Sequence, residues 1–468
     1  MYKPPQTPYC GFVRDENDYL KVVRSAAHVL VSGPTEIGKS RRILLPAALL
    51  WGGPVVFVSS KDTELQLLSA RRCFGPSGLI DLRPDYHADY FGVDNLSFDP
   101  TKLITTPDEA VTAANTMMQM STVGLGSGAD SVSDAGIWEA NTEGPLSAML
   151  YAASRMGNNQ GMAWVLMAVD NMARHDPNAP ATTHLDPGWV TAAAIVQTQP
   201  LFANALLRTL DMDARQRDSI ALTMRKAVMP WMRLSLRGTA YPAFDAAFLD
   251  DPQATLYVLS PPEGSIAGAA VTLLEHLVRT WRAKTARKEL LHRLLIVIDE
   301  AANVAPMPAL RRHVSEGRGL GVNLLVAVQA SSQLDTVYGN NYANELRDTF
   351  PASVVMFGAP EMDLLRRAEE WTLLTTRRQE TFDQASSQKT LSSHEGSTLE
   401  YRRLLPENTE HARLLIRGTA GHQTEIPDWS EFLRRYDLER DRRAKKYALS
   451  SDDVPSVARR HEGTAGAA

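Results

Sequence analysis

The chain has 468 residues, 44% of them hydrophobic and 22% charged, an ordinary globular balance that excludes a disordered chain and is too long for one small core. A formal charge of −5 excludes a uniformly basic nucleic-acid coat but leaves room for a locally basic channel. Cys10 and Cys73, the only two cysteines, exclude a disulfide framework and a Cys-rich zinc site and point to a reducing compartment, and the 11 histidines show no metal spacing. The first residues lack the apolar core of a signal peptide, and no apolar run of membrane-spanning length occurs.

In chain order, His28–Ser32 is short, apolar and β-branched, as a buried strand should be. A Gly/Pro turn follows, and Lys39–Leu50 is expected to be helical. Pro54–Ser60 predicts a second strand, Lys61–Cys73 a second helix and Gly78–Leu82 a third strand. Strands alternating with helices imply a parallel sheet covered on both faces. The β pattern then stops. From about Pro107 to about Gly238 the expectation is helix after helix: Gly136–Met156, Met162–Arg174, Gly188–Leu210 and Asp213–Leu236. Met and Trp recur there at the spacing of core packing. Strands resume at Thr255–Ser260, Leu294–Ile298, Val322–Gln329 and Ser353–Gly358, with a helix from Gly268 to about Lys288. Residues 372–397 are polar and are expected to form a mobile loop, and the tail from Asp437 a frayed helix followed by disorder.

The turn after the first strand, Gly33-Pro34-Thr35-Glu36-Ile37-Gly38-Lys39-Ser40, fits the phosphate-binding pattern G-x-x-x-x-G-K-[ST] in full. Glycines let backbone N–H groups curl around a phosphate chain, and the helix that follows points its positive end at the same anion. Lys39 is placed to reach the β and γ phosphates and the Ser40 hydroxyl to ligate Mg²⁺. Arg41 and Arg42 come next and would offset the mildly unfavourable Glu36. The strand Leu294–Ile298 closes on Asp299-Glu300, a Walker B pattern: Asp299 would hold Mg²⁺ and Glu300 would polarise water. Gln329 ends the next strand, where an amide can orient that water or sense the γ-phosphate; a solvent-facing loop amide is the alternative. Arg318 sits between glycines, exposed and adaptable as an arginine finger should be, or simply solvated. The basic groups at Arg282, Lys284, Arg287, Lys288 and Arg293, and from Arg434 to Lys446, suit solvated helix faces better than phosphate contacts.

Together these residues resemble the type IV secretion coupling proteins, the TraG/TraD-like conjugative DNA transfer ATPases. HVLVSGPTEIGKS is similar to the family's first strand and Walker A motif; Ser59-Ser60-Lys61-Asp62 stands where an Asp-Pro-Lys-Gly-like turn is usual. The block from Leu294 to Gly339 resembles its most specific stretch, and Arg402–Trp429 its closing part, so the likeness covers about residues 25 to 430. It implies an α/β P-loop NTPase of the RecA/FtsK-HerA-like kind, with a mostly parallel sheet and an all-α insertion domain between the Walker motifs. The expected divisions are 1–106 and 241–430 for the nucleotide-binding domain, 107–240 for the insertion and 431–468 for a charged, flexible tail.

By the same resemblance, Gly33 to Arg41 bind ATP, Ser40 and Asp299 hold Mg²⁺, and Lys39, Glu300, Gln329 and a trans-acting Arg318 are catalytic. The family implies a homo-hexameric ring carrying DNA, with sequence-nonspecific, single-stranded DNA, a relaxase and secretion-channel components as partners. The family's usual N-terminal transmembrane helices are missing, so a cytoplasmic protein recruited to the inner face of the plasma membrane by a partner is expected. Two other readings use the same motor residues. One is an FtsK/HerA-like DNA pump outside conjugation, disfavoured by the helical insertion and the tail. The other is a nucleotide-binding adaptor with little hydrolysis, disfavoured by the intact Lys39, Asp299, Glu300 and Gln329.

Overall fold

The computed structural model describes residues 7–16, 20–67, 71, 75–83, 89–122, 134–172, 186–236, 241–262, 264–371, 374–383, 388–397 and 399–446. In chain order the first elements are β1 (Phe12–Arg14), β2 (Leu20–Val22), β3 (His28–Ser32), α1 (Leu45–Leu50), β4 (Val55–Ser59), α2 (Thr63–Leu67), β5 (Ser77–Asp81) and β6 (Asp94–Asn95). Helices α3 (Pro107–Thr122), α4 (Asp134–Ala153), α5 (Met162–Asp170), α6 (Trp189–Ile195), α7 (Pro200–Leu210) and α8 (Ala214–Leu236) follow. Then come β7 (Thr255–Leu259), α9 (Gly264–Ala286), β8 (Leu294–Ile298), α10 (Ala301–Val304), α11 (Leu310–Glu316), β9 (Val322–Val328), α12 (Gln333–Tyr338) and α13 (Asn340–Thr349). The chain closes with β10 (Ala352–Met356), α14 (Met362–Glu370), β11 (Leu374–Asp383), β12 (Gln388–Ser397), β13 (His411–Ile416), β14 (His422–Glu425) and α15 (Trp429–Lys446).

Two compact units share these elements: residues 1–50, 325–331 and 350–468 form the first, and 51–324 and 332–349 the second. In the second unit β8, β4, β7, β5 and β6 lie in that order and every pairing is parallel. Their cores, VVFVS, TLYVL and LLIVI, are buried at every residue. Such unbroken apolar runs suit strands covered on both faces. In the first unit β3 and β10 pair in parallel, and a flank of antiparallel strands follows: β13 on β10, β14 on β13, β1 on β14 and β2 on β1. That flank was not legible in the sequence, because β1, β2 and β14 are short and half-exposed and show no apolar run. Strand β9 runs through the division between the units, and all seven of its residues are buried.

Between β6 and β7 the only regular elements longer than two residues are helical among the described residues, α3–α8 with a short 3₁₀ turn at Pro100–Leu103 before them and another at Ala246–Asp250 after them. These helices fall in the second unit together with β4–β8. Helix α9 lies alongside α3: Arg279 of α9 pairs with Asp108 and donates to its carbonyl at 3.3 Å. Trp164, Trp189, Trp231, Met149, Met162 and Met224 are core, as helical spacing suggests, whereas Met156, Met167, Met229 and Met232 are exposed. The stretch expected as one helix over 188–210 is two, because Pro200 opens α7 and the residue before a proline disfavours the α conformation.

One further expectation is corrected, and one is sharpened. Residues 374–383 and 388–397 form an antiparallel hairpin, with Leu374 opposite Ser397 and Asp383 opposite Gln388, in place of the expected mobile loop. A ladder of backbone hydrogen bonds needs no apolar composition to form. The charged tail, set to begin at 431 and to hold a helix from Asp437, is helical from Trp429 to Lys446, so the helix starts eight residues earlier than expected. Its first turn is anchored: Trp429, Phe432 and Leu433 are buried, and Phe432 meets Tyr9 edge-on at 5.5 Å and stacks on Trp429 at 5.7 Å. Residues 447–468 and the cysteine at 73 lie outside the described residues.

Candidate active site

In the first unit, β3 runs straight into the Gly33–Ser40 loop, and the Gly33 N–H donates to the Val328 carbonyl at 3.3 Å. Gly38 has φ +88°, which glycine alone adopts without strain, and Glu36 at the loop's exposed tip has φ 63°. These left-handed positions curl the backbone. The N–H groups of Thr35, Glu36, Ile37 and Gly38 have no protein acceptor among the described residues. Lys39 is buried, and its Nζ donates to the carbonyls of Gly33 at 2.8 Å and Pro34 at 3.1 Å. Curled donors beside a buried ammonium fit a polyphosphate.

Ser40 opens a π turn, Ser40–Leu44, in which the Leu45 N–H reaches back to the Ser40 carbonyl. Pro46 has no N–H to give the Arg42 carbonyl, and the helix widens ahead of it. The two arginines that follow Ser40 both have partners just before α15. Arg41 forks onto Asp428, Nε to Oδ1 at 3.1 Å and Nη2 to Oδ2 at 2.7 Å. Arg42 packs under Gly38 and donates to the Ile426 carbonyl at 2.9 Å. Burial opposes charge on Asp428, but hydrogen bonds and charge from Arg41, helped by Arg42, hold its carboxyl below the ordinary value. Arg41 is thus a strap between the loop's helix and the start of α15, not a group turned to the loop.

Gln329 follows β9 directly and is half-buried. Two residues on, Ser331 is buried and gives both its N–H and its hydroxyl to Glu361, each at 2.6 Å. Glu361 also accepts from the hydroxyl of Ser32, the last residue of β3, at 2.5 Å. The sequence reading passed over Glu361. A single acid past a strand is a weak signal, and its partners are 30 and 329 residues away.

In the second unit, β8 ends on Asp299, whose N–H donates to the Val58 carbonyl at 2.9 Å, and the side chain is buried. Glu300 takes the left-handed conformation, φ 56° and ψ 51°, at the head of α10. For a residue with a Cβ this costs about 1–2 kcal/mol, and such strain gathers at functional sites. The neighbouring strand β4 ends on Ser59, buried, whose hydroxyl donates to Glu64 and accepts from the Lys61 N–H, both at 3.1 Å. The departure to serine there makes the turn rather than a catalytic group. No three His, Cys, Asp or Glu side chains gather as a metal cage among the described residues. A hydroxyl such as Ser40 and a carboxylate such as Asp299 suit Mg²⁺, which takes most of its ligands from phosphate and water.

Arg318 lies in a 3₁₀ turn, Gly317–Leu320, after α11. Its carbonyl accepts from Arg293 at 2.9 Å, and the Leu294 N–H bonds the Gly321 carbonyl at 3.3 Å. The turn therefore sits at the start of β8, whereas Asp299 and Glu300 follow its end. Five strand residues span about 17 Å, beyond an arginine's reach. The Arg318 side chain is exposed and has no hydrogen-bond or ion-pair partner among the described residues. The basic group before β8 is neutralised locally: Arg282 forks onto Glu316, Lys284 pairs with Asp250 and Arg287 with Glu289. Arg434 and Arg435 pair with Glu431 and hold its carboxyl down at about 2.

A family model described as type IV secretory system conjugative DNA transfer matches residues 3–414. No curated protein matches the sequence. Among solved structures, the unbound monoclinic form of the bacterial conjugative coupling protein TrwBdeltaN70 is similar, with a TM-score of 0.57 and 16% identity, over 86% of this chain and 84% of that one. The plasmid coupling protein TrwB in complex with ADP and Mg²⁺ has a TM-score of 0.51 and 17% identity, over 86% of each chain. VirB4 of Thermoanaerobacter pseudethanolicus has a TM-score of 0.50 and 13% identity, over 90% of this chain and 96% of that one. At these identities the likeness is one of fold.

Proposed function

Since the chain belongs to the type IV secretory system conjugative DNA transfer family, we propose that it is an ATP-driven coupling protein that delivers relaxase-bound DNA to a type IV secretion channel. The observation that carries this is the Gly33–Ser40 loop, with its curled donors and the buried Lys39. ATP with Mg²⁺ supplies the phosphoanhydride bond whose hydrolysis drives translocation. Lys39 leaves its two loop carbonyls to neutralise the β and γ phosphates. The Ser40 hydroxyl and the Asp299 carboxylate hold the metal. Glu300 takes a proton from the attacking water, and Gln329 orients that water. Arg318 acts across a subunit boundary, because β8 separates it from the acids of its own chain.

The acting form on this reading is a homo-hexameric ring. Each subunit offers the same few basic groups, so six net-negative protomers line a positive channel. Its contacts are to backbone phosphates and indifferent to base sequence, and single-stranded DNA is the expected cargo. No helix among the described residues is long and apolar enough to cross a membrane. Recruitment to the inner face of the membrane by a partner protein is part of the same proposal. The test is ATP hydrolysis by purified protein, with and without single-stranded DNA, across a salt series. DNA should raise turnover, and salt should weaken binding steeply. Absence of DNA binding at low salt, even with a non-hydrolysable ATP analogue, would leave an adaptor as the better reading.

A further inference from the structure

Ser32, Ser331 and Glu361 meet where three strands of the first unit end. Ser32 closes β3, Ser331 follows β9 and Glu361 follows β10. Glu361 is 4% exposed, and its carboxylate is held by donors alone. Oε1 accepts from the Ser32 hydroxyl at 2.5 Å and the Ser331 N–H at 2.6 Å, and Oε2 from the Ser331 hydroxyl at 2.6 Å. Among the described residues no lysine, arginine or histidine pairs with it. A buried carboxylate loses its hydration, and three charge-assisted hydrogen bonds replace it.

What those bonds join matters more than their number. The residue after Ser32 is Gly33, whose carbonyl receives the Lys39 ammonium at 2.8 Å and whose N–H bonds Val328 at 3.3 Å. The residue after Val328 is Gln329, and Ser331 is two residues further on, at the start of the turn into α12. One carboxylate therefore fastens the Gln329 turn to the root of the loop that holds Lys39. A glutamine there, with its amide oxygen at the Oε1 position, would keep two of the bonds but turn an NH₂ group towards the Ser331 hydroxyl, so the third bond would be lost or reversed and the charge that strengthens all three removed.

We propose that Glu361 is a positioning residue for nucleotide hydrolysis: its carboxylate sets where the Gln329 amide stands relative to the Gly33–Ser40 loop, without touching the nucleotide. This rests on the ATPase reading, with Gln329 as the water-orienting amide. Misplacing a catalytic group by an ångström costs up to about 100-fold in rate, so the defect belongs to turnover and not to binding.

The test is a double-mutant cycle on the full chain, with kcat from steady-state hydrolysis and affinity from equilibrium titration with a non-hydrolysable ATP analogue. Glu361→Gln should lower kcat roughly 10–100-fold with little change in analogue affinity, and Glu361→Asp, which keeps the charge and the acceptors, should recover part of the loss. Gln329→Ala/Glu361→Gln should turn over no more slowly than Gln329→Ala alone, since an amide already removed cannot be misplaced. Losses that multiply in the double variant, or a fall in affinity equal to the fall in kcat, overturn the proposal. Should Glu361→Gln fail to fold, Ser331→Ala, which removes one of the three bonds, is read in the same cycle. If Lys39→Ala hydrolyses ATP like the wild type, the ATPase reading itself falls; normal Lys39 dependence with a multiplicative cycle removes only Glu361.

Discussion

In the Gly33–Ser40 loop Lys39 is 7% exposed and its ammonium rests on two carbonyls of its own loop. In the Gly317–Leu320 turn the guanidinium of Arg318 stands in solvent with no partner of its own chain among the described residues. Both cations lie beside glycines, yet the first is stored inside the element that would receive a ligand and the second is displayed to solvent. A cation held on its own loop can exchange two carbonyls for phosphate oxygens with little movement. An exposed one at the start of β8 is separated by that strand from Asp299 and Glu300, and on the proposed reading its object is another subunit. The contrast divides the proposed chemistry into a part each protomer carries alone and a part that exists only between protomers.

The largest effect should come from Lys39→Ala, which removes the main charge facing the β and γ phosphates. ATP turnover should drop to background and analogue affinity should fall, while the melting temperature without nucleotide stays close to that of the wild type. A near-normal rate in a folded Lys39→Ala protein would undo the internal half of the contrast.

Arg318→Ala comes next, with a loss of about 1,000-fold or more if the group is an arginine finger. Mixing Lys39→Ala with Arg318→Ala subunits should restore part of the activity, because some interfaces then pair an intact loop with an intact arginine. No recovery, with mixed assemblies verified by light scattering of tagged subunits, would assign Arg318 to solvent.

Glu300→Gln should slow turnover about 100-fold and leave ATP·Mg²⁺ binding in place, since Asp299 is untouched. Such a variant should hold ATP and favour any assembly that ATP stabilises. Normal hydrolysis by both Glu300→Gln and Asp299→Asn would show that the end of β8 is a structural turn.

The smallest effect concerns the strap beside the loop. Asp428 and Arg41 are both well exposed, at 35% and 49% of their side chains, so solvent screens the pair; Asp428→Asn should cost about 0.2–1 kcal/mol. Because the native carboxyl lies below its ordinary value, the contribution is complete above the unfolded pKa of about 3.9 and is lost as the pH falls through the depressed native value. Thermal unfolding should separate wild type from Asp428→Asn at neutral pH and bring them together in strong acid. A gap that persists in acid would mean that packing, not the ion pair, holds the strap.

Much of the second unit could be read directly, since its chemistry is local. Leu294–Ile298 is apolar throughout because both faces are covered, and Asp299 and Glu300 appear where such a strand must meet polar surroundings. The Gly33–Ser40 loop was legible for the same kind of reason. Glycine at 38 is tied to a backbone angle, φ +88°, that other residues adopt only under strain, so the residue type reports the conformation. Sequence reading did less well with polar or short segments. The β11–β12 hairpin is paired through its backbone, and composition said loop. The helix over 429–446 follows a charged pattern whose anchor, Phe432 on Tyr9, joins opposite ends of the chain.

Backbone conformation, burial of the central strands and the identity of the phosphate loop were thus decided by residues within a few positions of one another. The partners of the side chains were not. Arg41 reads equally well as a phosphate ligand until Asp428, 387 residues away, takes both ends of its guanidinium. Glu361 looks like any acid after a strand until folding sets it against Ser32, 329 residues earlier. Arg318 looks like any arginine between glycines until β8 is seen to stand between it and Asp299. A hydrogen bond between distant residues leaves no period and no spacing in the chain; it exists only once the strands that carry its ends lie side by side.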